Sequence, residues 1–115
     1  MLCGASCVVR QLGRISTAIS RLEQSTIWQC SMSGDHARRR LMNGGFSVED
    51  DGDPGDMHVH GGAGHVDGIT YVDPFGNFSN TAATAGLIAH EEAHHRGWRD
   101  TDDPNYALQL QGMCD

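Results

Sequence analysis

The sequence predicts a small α+β domain running over residues 1–115, with a backing helix, a short mixed sheet and a second helix that carries paired histidines. Three observations carry that prediction. Val8, Leu12, Ile15, Ile19 and Leu22 recur at helical spacing, so Cys7 to Gln24 reads as an amphipathic helix packed behind a sheet. Ile69-Thr70-Tyr71-Val72 is β-branched and aromatic and is stopped by Pro74, as a strand requires. Ser79 to Asp100 is rich in alanine, opens on the candidate caps Ser79, Asn80 and Thr81, and meets a natural stop at Gly97.

Composition bounds the rest. With 38% of residues in the hydrophobic class and 15 glycines in 115 residues, a loop-rich single domain is expected, its packing supplemented by metal or disulfides. Cys3, Cys7, Cys30 and Cys114 allow two disulfides in any of three connectivities. A Cys30 to Cys114 bridge would tie the C-terminal turn to the N-terminal half, and free buried thiols are the competing reading. A net charge of -7 argues against nucleic acid and anionic membrane surfaces as main partners, and a monomer is expected. No run reaches the apolar length that crosses a bilayer, and the first residues lack the apolar stretch of a secretory signal before Arg10. The compartment stays open on these grounds, with a secreted or delivered effector favoured over a cytosolic protein.

Between the first helix and the strand, Ser25 to Met32 reads as a short strand through Ile27 and Trp28. Ser33 or Asp35 then caps a short helix, His36 to Met42, ended by Asn43-Gly44-Gly45. Arg38-Arg39-Arg40 reads as a solvated face. Phe46 to Asp56 reads as an acidic loop in which Asp50, Asp51, Asp53 and Asp56 are candidate ligands for a structural Ca²⁺, with plain solvation as the default. In extended chain His58 and His60 share a face, and with His65 they line a cleft or the surface. Asp73 to Asn80 is the turn into the second helix, with Phe75 and Phe78 as candidate substrate contacts or core anchors.

The chemistry concentrates in that helix. His90, Glu91 and His94 form His-Glu-x-x-His, and the i, i+4 spacing sets both imidazoles on one face, where they can share a tetrahedral zinc. Glu91 falls about 100° further round, beside a bound water and in place to act as general base. Two ligands from one helix need a third. Gly97 can take positive φ, reverse the chain and return Asp100 to the metal, while Asp102 and Asp103 compete for that role. Chance yields His-Glu-x-x-His in roughly one chain in seventy of this composition, and the added Gly and Asp lower that to about one in several thousand. Glu92 and Arg96 read as an outward i, i+4 pair, Gly86 as space on the metal side, and His95 as a core or supporting histidine. Trp98 is expected to pack over the turn at Gly97, and Tyr106 or Tyr71 is a candidate oxyanion donor.

The run from His90 to Asp100, His-Glu-x-x-His-x-x-Gly-x-x-Asp, resembles the extended zinc signature of the metzincin clan of metallopeptidases, and its final Asp resembles the snapalysin group. The resemblance covers residues 65 to 115. It implies a zincin-like fold and one catalytic Zn²⁺ on His90, His94 and Asp100. It further implies Glu91 as the base, a polypeptide substrate, a strand before the helix as the cleft's rim, and Met113 in a turn under the metal. Two other readings stay open. In one, the histidines close a non-catalytic four-ligand site with Asp102 or His65. In the other, His58, His60 and His65 resemble the first cupin motif, with His65 where that family has Glu and Val72 where it has Gly.

Overall fold

The computed structural model describes residues 3–49, 57–59, 68–74 and 76–115. Within them the chain forms α1 (Ala5–Glu23), α2 (Trp28–Met42), β1 (Phe46–Val48), β2 (Met57–Val59), β3 (Thr70–Val72), α3 (Thr81–His95) and α4 (Tyr106–Met113). The architecture is α+β, as the sequence predicts. Asp50, Asp51, Asp53, Asp56, His60, His65 and Phe75 lie outside the described residues, and with them the candidate calcium ligands and two of the three histidines of the strand site, whose third, His58, is described. No helix among the described residues is long and apolar enough to cross a membrane.

α1 buries the C-terminal part of the expected stripe, Ile15, Ile19 and Leu22, together with Ala18, while Val8 and Leu12 are half-buried. Gln11 on the same face reaches Pro74 and donates to its carbonyl at 2.6 Å, tying the helix to the chain that leaves the sheet. No strand forms over Ser25 to Met32: Ser25 to Ile27 lead into α2, which starts at Trp28. The reason is the face its small residues make: Cys30, Ser33, Gly34 and Ala37 are buried at helical spacing. The β-formers that suggested a strand point outward, Trp28 being 67% exposed. At Gly34 the two helices touch backbone to backbone, since a Cβ there would lie 2.7 Å from the amide nitrogen of Glu23.

The Arg38-Arg39-Arg40 run is likewise not a simple solvated face. Arg38 clamps α1 by bonds to Ser16, Ser20 and Glu23. Arg40 donates to both carboxylate oxygens of Glu92, at 2.7 and 3.0 Å, and to the carbonyl of Gly68 at 2.6 Å. Glu92 is 1% exposed. The outward Glu92 to Arg96 pair expected from helical spacing is thus replaced by an inward one between α2 and α3.

The sheet is mixed, in the order β1-β3-β2, with β1 parallel and β2 antiparallel to β3. Phe46 to Val48, expected in the acidic loop, forms a strand because β3 offers it a partner and the buried Phe46 a place in the core. β3 is flanked on both sides, so among the described residues β1 and β2 are the edge strands, and β2 lies against α3. His58 and Tyr71 face each other across β2 and β3 and stack with ring centroids 5.4 Å apart.

The C-terminal segment, expected to form a turn at Met113, is the helix α4. Asn105 caps it by accepting a bond from the amide of Leu108. Ala107 and Leu110 enter the core, and Met113 in the last turn is 41% exposed. Both disulfides form, Cys3 to Cys7 and Cys30 to Cys114. The second closes a separation of 84 residues, for which chain entropy alone predicts about 4.5 kcal/mol of stabilisation. It also fastens the end of α4 to α2.

Candidate metal centre

α3 begins at Asn80, whose side-chain oxygen accepts a bond from the amide of Ala83 at 3.0 Å. Its first half is small and buried: Thr84, Ala85, Gly86, Ile88 and Ala89. Gly86 is where α4 arrives, because a Cβ on it would stand 2.6 Å from the carbonyl oxygen of Gln111. The room that Gly86 leaves is therefore filled by backbone of the same chain.

The helix ends as its sequence predicts. Gly97 has φ of +98°, and its amide bonds to the carbonyl of His94 at 2.9 Å while the amide of Trp98 bonds to that of Ala93 at 3.1 Å. This is a Schellman ending. It aims the carbonyl of Trp98 back at the helix, where it lies 2.8 Å from Nδ1 of His94. A carbonyl only accepts, so Nδ1 donates to it, and the ring is held with Nε2 turned to the face it shares with His90, the orientation a metal-binding imidazole needs.

Beyond the turn, Oδ1 of Asp100 comes to 3.3 Å from Nε2 of His90 and 3.2 Å from Nε2 of His94. Of the three competing aspartates, Asp102 is engaged elsewhere. It caps the loop by accepting from the amide of Arg99 at 2.7 Å and faces the side chain of Arg99 at 3.5 Å. Asn105 donates to the backbone carbonyl of Asp100 at 3.1 Å, which fixes the returning chain.

His90, Glu91 and His94 also bring one ligand atom each to within 4.8 Å of one another. A cation thus has two triads on offer, the histidines with Asp100 or with Glu91. The oxygen of Asp100 stands almost equally far from both imidazoles. Glu91 is displaced round the helix from the face they share. It is nevertheless 6% exposed, a carboxylate held close to the pair in a shielded place.

His90 differs from His94 in its support. Its pKa is lowered, first by burial and then by the charge of His94, with Asp100 and the side chain of Gln111 pulling the other way. The ring therefore favours the neutral form that coordinates metals. Its Nδ1 is buried with no hydrogen-bond partner. Gln111 carries no local signal in the sequence, because only the docking of α4 brings it beside His90.

The remaining candidates fall around this centre. Nε2 of His95 lies 2.8 Å from Oγ1 of Thr70, so it joins α3 to the sheet. Trp98 is 44% exposed and packs on Tyr106 with ring centroids 4.8 Å apart. Tyr71 belongs to the sheet, stacked on His58. Phe78 is 2% exposed and serves the core. Met113 sits at the end of a helix, so the turn expected at that residue is not formed.

Comparison with protein-family models, with curated proteins and with solved structures returns no match for this chain.

Proposed function

We propose that the chain is a zinc-dependent metallopeptidase of zincin-like type, with His90, His94 and Asp100 as metal ligands and Glu91 as general base. The observation that carries this reading is the pair of distances from Asp100 to the two histidines. Zinc bonds of roughly 2.0–2.1 Å in tetrahedral geometry separate neighbouring donors by about 3.3–3.4 Å. The oxygen of Asp100 lies 3.3 and 3.2 Å from the two histidine nitrogens. A closed structural site would need a fourth protein donor; of the two alternatives, Asp102 is held by Arg99, and His65 lies outside the described residues. Three ligands are the catalytic complement.

Zinc bound there supplies a polarised carbonyl and a water of lowered pKa. The residues of the chain do the rest. His94 is held in one orientation by the carbonyl of Trp98. Glu91 takes the proton from the attacking water and delivers it to the leaving amine, so one carboxylate serves both halves of the reaction. The outer edge of β2, beside α3, offers backbone groups with which an extended polypeptide can pair.

The test is zinc stoichiometry and hydrolysis of a denatured protein substrate, measured on wild type and on Glu91→Gln. One zinc per chain is expected in both, with hydrolysis reduced about 10²- to 10⁴-fold in the variant. A Glu91→Gln protein that cleaves like wild type removes Glu91 from the reaction. Tight zinc without hydrolysis in wild type would leave the non-catalytic reading standing.

A further inference from the structure

The two histidines of the metal face are supported unequally. The ring of His94 is fixed at Nδ1 by the carbonyl of Trp98, 2.8 Å away. Nδ1 of His90 is buried and has no hydrogen-bond partner. When Nε2 of such a ring binds a metal, the ring's proton is left on Nδ1, and a buried N–H without an acceptor is unfavourable. Metal-binding histidines donate that N–H to a carbonyl or a carboxylate, which fixes the ring. His90 therefore calls for an acceptor on its buried side.

One side chain stands where it is needed. Gln111 of α4 lies beside His90, and its side chain and that of Asp100 both act on the ring. Asp100 belongs to the Nε2 side, 3.3 Å from that atom. Gln111 arrives from the other direction. Its carbonyl oxygen lies 2.6 Å from where a Cβ of Gly86 would stand, one helical turn before His90. Side chains of a helix lean toward its N-terminus, so the ring of His90 lies over that turn and away from the one at Gly97. α4 is held at both ends, by the Asn105 cap and by the disulfide from Cys114 to Cys30, so the half-buried Gln111 is carried on a fixed element.

We propose that Gln111 is a positioning residue of the metal centre, its side-chain Oε1 accepting the Nδ1–H of His90 while Nε2 of that ring holds the metal. A side-chain amide can turn its oxygen or its nitrogen to a neighbour, and the oxygen is the end that accepts. Each histidine then has one carbonyl oxygen behind it. For His94 it comes from the adjacent turn, and for His90 from the far end of the chain. The proposal rests on His90 as a metal ligand and does not depend on peptide hydrolysis.

The experiment is proton-detected ¹⁵N NMR of the imidazole rings in the zinc-loaded protein, with zinc affinity from competition against a chelating dye, for wild type, Gln111→Leu and Gln111→Glu. In wild type the Nδ1–H of His90 is expected to exchange slowly with water and to show a cross-peak to the side chain of Gln111. Gln111→Leu, similar in size and without an acceptor, should lose that protection, leave the Nδ1–H of His94 as it was, and bind zinc roughly tenfold to a hundredfold more weakly. Gln111→Glu keeps an acceptor and should keep both the protected signal and the affinity. A freely exchanging His90 Nδ1–H in wild type, an unchanged signal and affinity in Gln111→Leu, or equal losses in the two variants overturns the proposal. Loss of both histidine signals together also overturns it, since that marks a general loosening of α3. Should Gln111→Leu fail to fold, absence of the protected signal in Gln111→Glu overturns it equally. A chain that binds zinc and cleaves nothing sinks the peptidase reading alone, whereas one that binds no zinc sinks both.

Discussion

The body of α3 and the turn that follows it are held in opposite ways. The body is fixed from far along the chain: Ile88 and Ala89 in the core, Gly86 against Gln111, and Glu92 in the fork of Arg40. The turn is fixed by its neighbours: Gly97 and Trp98 bond back to His94 and Ala93, and Asp102 bonds to Arg99. Tertiary packing therefore sets where the two histidines stand. Local backbone geometry sets where Asp100 meets them. If that division is real, stability and metal affinity are separable properties of one helix and can be perturbed one at a time.

The largest effect on the body should come from Glu92→Ala. It leaves Arg40, 18% exposed, without its carboxylate, and breaking a pair of this kind costs about 3 kcal/mol. Urea unfolding with the disulfides intact measures the loss. The protein that remains folded should still bind one zinc. A variant of unchanged midpoint would mean that the pair contributes nothing net and that α3 is positioned by apolar contacts alone.

Next is Gly86→Ala. The added methyl falls 2.6 Å from a backbone oxygen of α4, a neighbour that the disulfide to Cys30 keeps from moving freely. A loss of about 1–3 kcal/mol is expected from such overpacking, although alanine is the better helix former. A gain in the thermal midpoint would show that α4 yields easily at this point.

The same contrast explains what the sequence disclosed. The turn was legible because its determinants are adjacent in the chain: His90 and His94 at i, i+4, a glycine where positive φ is needed, and an aspartate three residues on. α1 and β3 were legible because periodicity and β-branching are local signals too. The tertiary partners were not. Arg40 looked like part of a solvated basic run and Glu92 like the partner of Arg96, and only the crossing of α2 with α3 joins Arg40 to Glu92. α2 read partly as a strand because Ile27 and Trp28 suggest one, while the signal that decides it is a face of small residues against α1. α4 has few apolar residues in a clear stripe, so a turn was expected where Asn105 caps a helix. Residues that act through distant contact, such as Gln111, leave no mark at sequence range.

The sharpest test of the division is the smallest in stability. Gly97 has φ of +98° and nothing within 4 Å of where a Cβ would stand, so Gly97→Ala meets backbone strain without a clash. Gly44, at the end of α2, has φ of +73° and equally open surroundings, so Gly44→Ala carries a comparable strain away from the metal face. Each should lower stability by about 1–2 kcal/mol. Their effects on zinc should differ. Relief of the strain at Gly97 would swing the chain that returns Asp100, whose oxygen has to lie 3.3 and 3.2 Å from His90 and His94. A competition titration against a chelating dye should therefore show affinity about tenfold or more weaker in Gly97→Ala and unchanged in Gly44→Ala. An equal loss in the two variants would mean that metal affinity simply follows global stability, and that the third donor is placed by the packing of the helix body rather than by the turn.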